Sequence, residues 1–110
     1  MKLYIDTSNN RQITLKLGDK TITKNFLTPQ AQNLLPEIAQ ALKKIRSNIQ
    51  NITAISVHPG PGSFTGLRVG FSVANALGFA LNIPVNGKQP GTVFPEYGEE
   101  PHITSPNLPN

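Results

Sequence analysis

The stretch "ISVHPGPGSFTGLRVGFSVANALGFALNIPV", residues 55–85, decides the fold. It opens inside an apolar segment, Ile52, Ala54, Ile55 and Val57, which reads as a strand. A glycine loop follows, then a helical run from about Thr65 to Leu81, and Ile83 to Val85 reads as a further strand. Strand, helix and strand in that order imply a parallel crossover, the unit from which α/β sheets are built.

The loop itself, "GPGSFTGLRVG" at residues 60–70, has the look of a phosphate site. A Walker loop needs G-x-x-x-x-G-K-[ST], but Thr65 stands five residues after Gly60 and Leu67 follows Gly66. A dinucleotide fingerprint needs G-x-G-x-x-G, but after Gly60-Pro61-Gly62 the next glycine, Gly66, comes one residue late. Both specific templates fail. There remains the general attraction of a helix N-terminus for an anion, with Gly62, Ser63, Thr65 and Gly66 as candidates. The competing reading has Ser63 or Thr65 capping the same N–H groups.

The glycines continue into the helix. Gly66, Gly70, Ala74 and Gly78 recur every four residues and share one face. Each interior glycine costs about 1 kcal/mol relative to alanine, so the stripe implies close approach of another backbone. That backbone belongs either to the chain's own sheet or first helix, or to a partner. Val69, Val73, Leu77 and Ala80 make a second apolar face able to serve the core.

Upstream, Leu3, Tyr4 and Ile5 form a short strand ending in Asp6-Thr7-Ser8, with a turn at Asn9-Asn10. Asp6 is read two ways: a carboxylate holding Mg²⁺ near a phosphate, or a shaper of the turn. Ile13, Leu15 and Leu17 alternate with polar residues as in a half-buried strand. Gly18-Asp19 turns the chain, and Thr21 to Phe26 returns as a third, antiparallel strand. A helix is expected from about Gln30 to Ile49, capped by Thr28, with Pro29 in its first turn and Pro36 marking a kink or fresh start. Leu34, Ile38, Ala41, Leu42, Ile45 and Ile49 form its apolar stripe, and Lys43, Lys44 and Arg46 suit the helix dipole. The expected architecture is therefore α/β with a mixed five-stranded sheet: three antiparallel strands, helix, strand, helix, strand. From Gly87 onward Pro90, Pro95, Pro101, Pro106 and Pro109 break both periodicities. That region reads as an extended tail anchored by Val93, Phe94, Tyr97 and Ile103.

Composition narrows the chemistry. The 110 residues suit one domain, and the lack of cysteine excludes disulfides and thiolate metal sites. His58 and His102 lie far apart without ligand-spaced companions, so no metal site is expected. Ser63 lacks a G-x-S-x-G frame, and no general acid–base pair is visible. No catalytic residue is assigned. The N-terminus has no signal-peptide core, and Val69 to Val85, interrupted by Ser72, Asn75, Asn82 and Pro84, is too short and polar for a bilayer. The expected location is the cytoplasm. The net charge of +4 is segregated: residues 1–90 hold all ten Lys and Arg against three acids, and the other three acids follow. A basic body of this kind favours an acidic partner or RNA, or is simply a solvated surface.

"MKLYIDTS", "LLPEI" and the quoted stretch together resemble the N-terminal lobe of the bacterial YeaZ/TsaB proteins, relatives of the threonylcarbamoyl-transferring TsaD/Gcp proteins. The resemblance covers about residues 1–87 and implies an actin-like ATPase, ribonuclease H-like lobe. It implies a part in making N6-threonylcarbamoyladenosine at position 37 of tRNA, as a scaffold that pairs with a TsaD-like subunit and is not itself the enzyme. The transferase carries H-x-x-x-H after the fifth strand, where this chain has "NGKQPG". In the family, the two helices build the subunit interface. Carried over, Leu34, Ile38, Leu42, Gly70, Phe71, Ala74 and Gly78 become interface candidates, for a TsaD-like partner or a second copy of the chain. No cofactor is assigned to a scaffold. The alternatives are an ATP- or ADP-binding remnant using Asp6, Thr7 and the glycine loop, and a small tRNA-binding protein using the basic body. tRNA is expected within the complex, and no membrane. Two departures stand out: residues 88–110 form a tail where members have a second lobe, and Gln30-Ala31-Gln32 replaces a His followed by Ser or Thr. Without a second lobe, the tail is expected to cover the open sheet face through its apolar anchors.

Overall fold

A computed structural model describes residues 1–28 and 33–96. Strand β1 (Lys2–Asp6) lies between β2 (Gln12–Leu17) and β4 (Ala54–Val57), and β3 (Lys20–Asn25) flanks β2, giving the order β3-β2-β1-β4. The first three strands are antiparallel and β4 runs parallel to β1. Helix α1 (Leu34–Lys44) crosses from β3 to β4, and α2 (Phe64–Leu81) follows β4.

Pairing register explains the core. Leu17, Leu3 and Ile55 are cross-strand neighbours, as are Leu15, Ile5 and Val57, so the alternation of each strand adds up to one apolar face. All six are at most 2% exposed. Burying each is worth about 1.5–3 kcal/mol. Leu34, Ile38, Ala41 and Leu42 of α1, with Phe71 and Ala74 of α2, close over that face. The opposite face carries Tyr4 and Asp6 on β1, Thr14 and Lys16 on β2, Thr23 on β3 and Ser56 on β4. No described element packs on it.

Three expectations are corrected. The sheet has four strands among the described residues; the fifth position is one residue, Val85, in a parallel bridge to Ile55 and an antiparallel bridge to Lys88. Asn86 and Gly87 adopt positive φ immediately afterwards, which turns the chain back before a ladder can extend. Helix α1 starts at Leu34 with Asn33 as N-cap, so Thr28 does not cap it, and the proposed start at Pro29 and Gln30 lies outside the described residues. Pro36 is then the third helical residue, where no intrahelical N–H bond is lost. The helix ends at Lys44 rather than Ile49. Arg46 takes a left-handed φ of 56°, its N–H reaches the Lys43 carbonyl, and the Ser47 N–H reaches Leu42, a Schellman termination. Ile49–Asn51 forms a separate 3₁₀ turn capped by Asn48.

The tail does not cover the open sheet face as far as it is described. Val93 is buried in the core on the helical side, held there by Asn75, which donates to the Val93 carbonyl and accepts from the Gly91 N–H. Phe94 is 73% exposed and anchors nothing. Tyr97 and Ile103 lie outside the described residues.

Candidate functional site

The glycine loop meets the end of β1 at one corner of the sheet. Asp6 and Ser8 form a closed turn: one Asp6 carboxylate oxygen accepts from the Ser8 N–H at 2.9 Å and from the Ser8 hydroxyl at 2.6 Å. That is the turn-shaping role. Thr7, between them, is 2% exposed, and its hydroxyl donates to the Gly66 carbonyl at 2.6 Å. Ser63 caps α2 by accepting from the Gly66 N–H, and its own N–H donates to the Ser8 carbonyl. Thr65 is exposed on the first turn, away from this network.

The glycines of the corner are fillers of contact distance. A Cβ at Gly62 would lie 2.6 Å from the Ser8 carbonyl oxygen. At Gly66 it would collide with the Thr7 carbonyl, and at Gly70 with the Thr7 hydroxyl. At Gly78 it would stand 2.6 Å from a Val85 methyl. The structure thus brings Asp6, Thr7, Gly62, Ser63 and Gly66 together, as the joint between β1 and α2. Within this joint the Thr7 O–H is donated to the Gly66 carbonyl, one Asp6 oxygen is taken up by Ser8, and the Ser63 hydroxyl accepts from the Gly66 N–H.

The same geometry shows where the interface candidates lie. Leu34, Ile38, Leu42, Phe71 and Ala74 are at most 5% exposed, and Gly70 and Gly78 are buried. The close backbone approach demanded by the glycine stripe is supplied by β1 and by the Ile83–Val85 segment, so these seven do not form an open surface. What the helices present outward lies beside them. On α1, Leu35 (49% exposed) and Ala39 rim a groove floored by Ile38 and Leu42. On α2, Thr65, Arg68, Val69, Ser72 and Val73 line a second shallow groove, with Arg68 stacked over Phe64. By length and composition alone α2 is apolar enough to cross a membrane. Its buried stripe against β1 and β4 is that of a core helix.

Two asparagines had no signal in the sequence. Asn86 accepts from the Val57 N–H and donates to the Val57 carbonyl, so its amide pairs with the edge of β4 as a strand residue would. Asn75 clamps the tail as described. Tyr4, central on the open face, lies under the Lys16 ammonium at 5.1 Å. Burial, and then the Asp6 carboxylate, raise its hydroxyl pKa above the usual tyrosine value. Among the described residues no cluster of His, Asp and Glu could hold a metal. His58 follows β4, and His102 lies outside the described residues.

The family model for TsaD, described as tRNA N6-adenosine threonylcarbamoyltransferase, matches residues 29–87. The tRNA threonylcarbamoyladenosine biosynthesis protein TsaB of Bacillus subtilis is 32% identical over 88 residues, covering 76% of this chain and 38% of the relative. Its Escherichia coli counterpart is also 32% identical over 88 residues, with the same 38% of its length covered. Among solved structures, YeaZ from Pseudomonas aeruginosa superimposes with a TM-score of 0.65 at 31% identity, over 76% of this chain and 42% of YeaZ. The chain thus spans well under half the length of these relatives.

Proposed function

The chain belongs to the TsaD-like family, on its TsaB/YeaZ side, and from that premise we propose that it acts in threonylcarbamoyladenosine synthesis on tRNA as a non-catalytic subunit that docks a TsaD-like transferase. One observation carries the non-catalytic reading. At the corner where the fold would expose ligand groups, Asp6, Thr7, Ser8 and Ser63 bond to one another and to the Gly66 backbone. The corner is a hinge pin between strand and helix, which suits a scaffold.

The docking surface in this reading is the outward side of α1 and α2, with Leu35 and Ala39 on one helix and Val69 and Val73 on the other. The buried stripe beneath holds both helices at a set spacing from the sheet, so that surface is rigid. The test is co-purification with a TsaD-like protein of the same organism. Leu35→Glu and Val73→Glu each place a charge in the apolar contact and are expected to weaken the complex at least about tenfold. Phe94→Glu, on the exposed tail, is expected to leave it unchanged. Wild-type binding by both helix variants would remove this surface from the proposal, and no complex with wild-type chain would remove the docking role.

A further inference from the structure

The ten cations look scattered in sequence, but the topology sorts nine of them, the tenth, Lys88, bridging to Val85 beside β4. Lys2 starts β1, Lys16 is one residue from the end of β2, and Lys20 starts β3 after the tight turn. Register places these three at the same end of the sheet, since Leu3 pairs with Leu17 and Leu17 with Lys20. The crossover brings α1 to that end as well. Its first turn is fixed at the far end by the Lys24–Glu37 ion pair of 3.0 Å. Its C-terminus delivers Lys43, Lys44 and Arg46 beside the segment that bonds to the Met1 amino group through Asn51. All six cationic side chains are exposed.

Acids do not balance them. Among the described residues, Asp19 is the acid at this end; Asp6, Glu37 and Glu96 lie at the other, beside Arg11, Lys24 and Arg68. One end of the molecule is thus strongly cationic and the other near neutral. Side chains between the cations, Thr21, Ser47, Asn48 and Gln50, are polar, which suits a hydrated polyanion better than a bilayer. Lys2 and Lys16 project from the open polar face and Lys43 and Lys44 from the helical side, so the charge wraps the edge of the sheet.

We propose that this end, formed by Lys2, Lys16, Lys20, Lys43, Lys44 and Arg46, docks the phosphate backbone of structured RNA. The choice of RNA among polyanions rests on the tRNA-directed role proposed above; the charge distribution does not. Such contacts release counterions, so binding weakens steeply with salt, by a slope near one per phosphate neutralised.

The experiment measures fluorescence anisotropy of a labelled tRNA stem-loop with the full chain, from about 50 to 200 mM salt. Wild type is expected to bind with a steep salt dependence. Lys16→Gln, Lys20→Gln, Lys43→Gln and Lys44→Gln combined are expected to lower affinity at least about tenfold and flatten the log–log slope by about four. Arg11→Gln with Arg68→Gln, at the opposite end, is compared with Lys43→Gln with Lys44→Gln, which removes the same charge. Equal losses from the two pairs would show attraction to net charge and overturn a defined surface. So would no binding at the lowest salt, or binding to vesicles containing phosphatidylserine without binding to the stem-loop. Lys43 lines the α1 groove, whereas Lys16 and Lys20 lie on the sheet, so co-purification of Lys16→Gln with Lys20→Gln with the TsaD-like partner separates failure here from failure of the docking role.

Discussion

At the scale of single residues, Thr7 is the pivot of this fold. It is the one polar side chain buried in the core among the described residues, and it touches the glycine stripe twice: its hydroxyl bonds to the Gly66 carbonyl and it fills the space over Gly70. Thr7→Val keeps the shape and loses the bond, and is expected to cost about 1–2 kcal/mol in urea denaturation. Alanine at a helical glycine ordinarily stabilises by up to about 1 kcal/mol. Gly66→Ala is expected to do the reverse, costing at least about 2 kcal/mol, because its Cβ meets a backbone carbonyl that cannot step aside. Gly78→Ala is expected to cost less, because its closest contact is a Val85 methyl at 2.6 Å and the nearest backbone atom, the Ile83 carbonyl oxygen, stands back at 3.1 Å. The reverse order in the two unfolding midpoints would refute this account of the stripe.

At the scale of elements, spacing and capping made most of the fold legible in advance. The alternation of Ile13, Leu15 and Leu17 marks β2, and Ser63 marks the start of α2. The end of α1 was not legible, because the apolar stripe continues through Ile45 to Ile49 while the backbone terminates at Arg46, an unusual residue for a left-handed position. The fifth strand failed for the opposite reason: its residues look like a strand, but a turn at Asn86-Gly87 follows at once. The stretch after Val85 is held by side-chain bonds from Asn75 and Asn86 that no periodicity announces. Asn75→Ala is accordingly expected to speed limited proteolysis within residues 88–95 several-fold, with little change in the global urea midpoint. A proteolysis rate equal to wild type would show that Val93 alone holds the segment.

At the scale of the whole molecule, the crossover that completes the core also concentrates charge. Six exposed cations share one end with a single acid among the described residues, and their mutual repulsion opposes folding. Raising salt from about 10 to 200 mM NaCl is expected to raise the urea midpoint through screening, by less than about 1 kcal/mol in stability. Lys43→Gln with Lys44→Gln is expected to reduce that gain. A midpoint indifferent to salt in both proteins would mean that the cations are too far apart, or too well solvated, to repel.

By itself the sequence determined the first four strands, the presence of two helices, and the family to which the chain belongs. These follow from local periodicity, caps and a motif, all contained within short windows. Only the tertiary structure decided what the glycine stripe is for, and where the charges gather. Both depend on residues distant in sequence, Thr7 against Gly66 and Lys16 at the same end of the sheet as Lys2, that only the packing of the elements and their pairing register bring to one place. A stripe of small residues says that something comes close; it took the fold to show that the neighbours are the chain's own Thr7, at the end of β1, and its Ile83–Val85 segment.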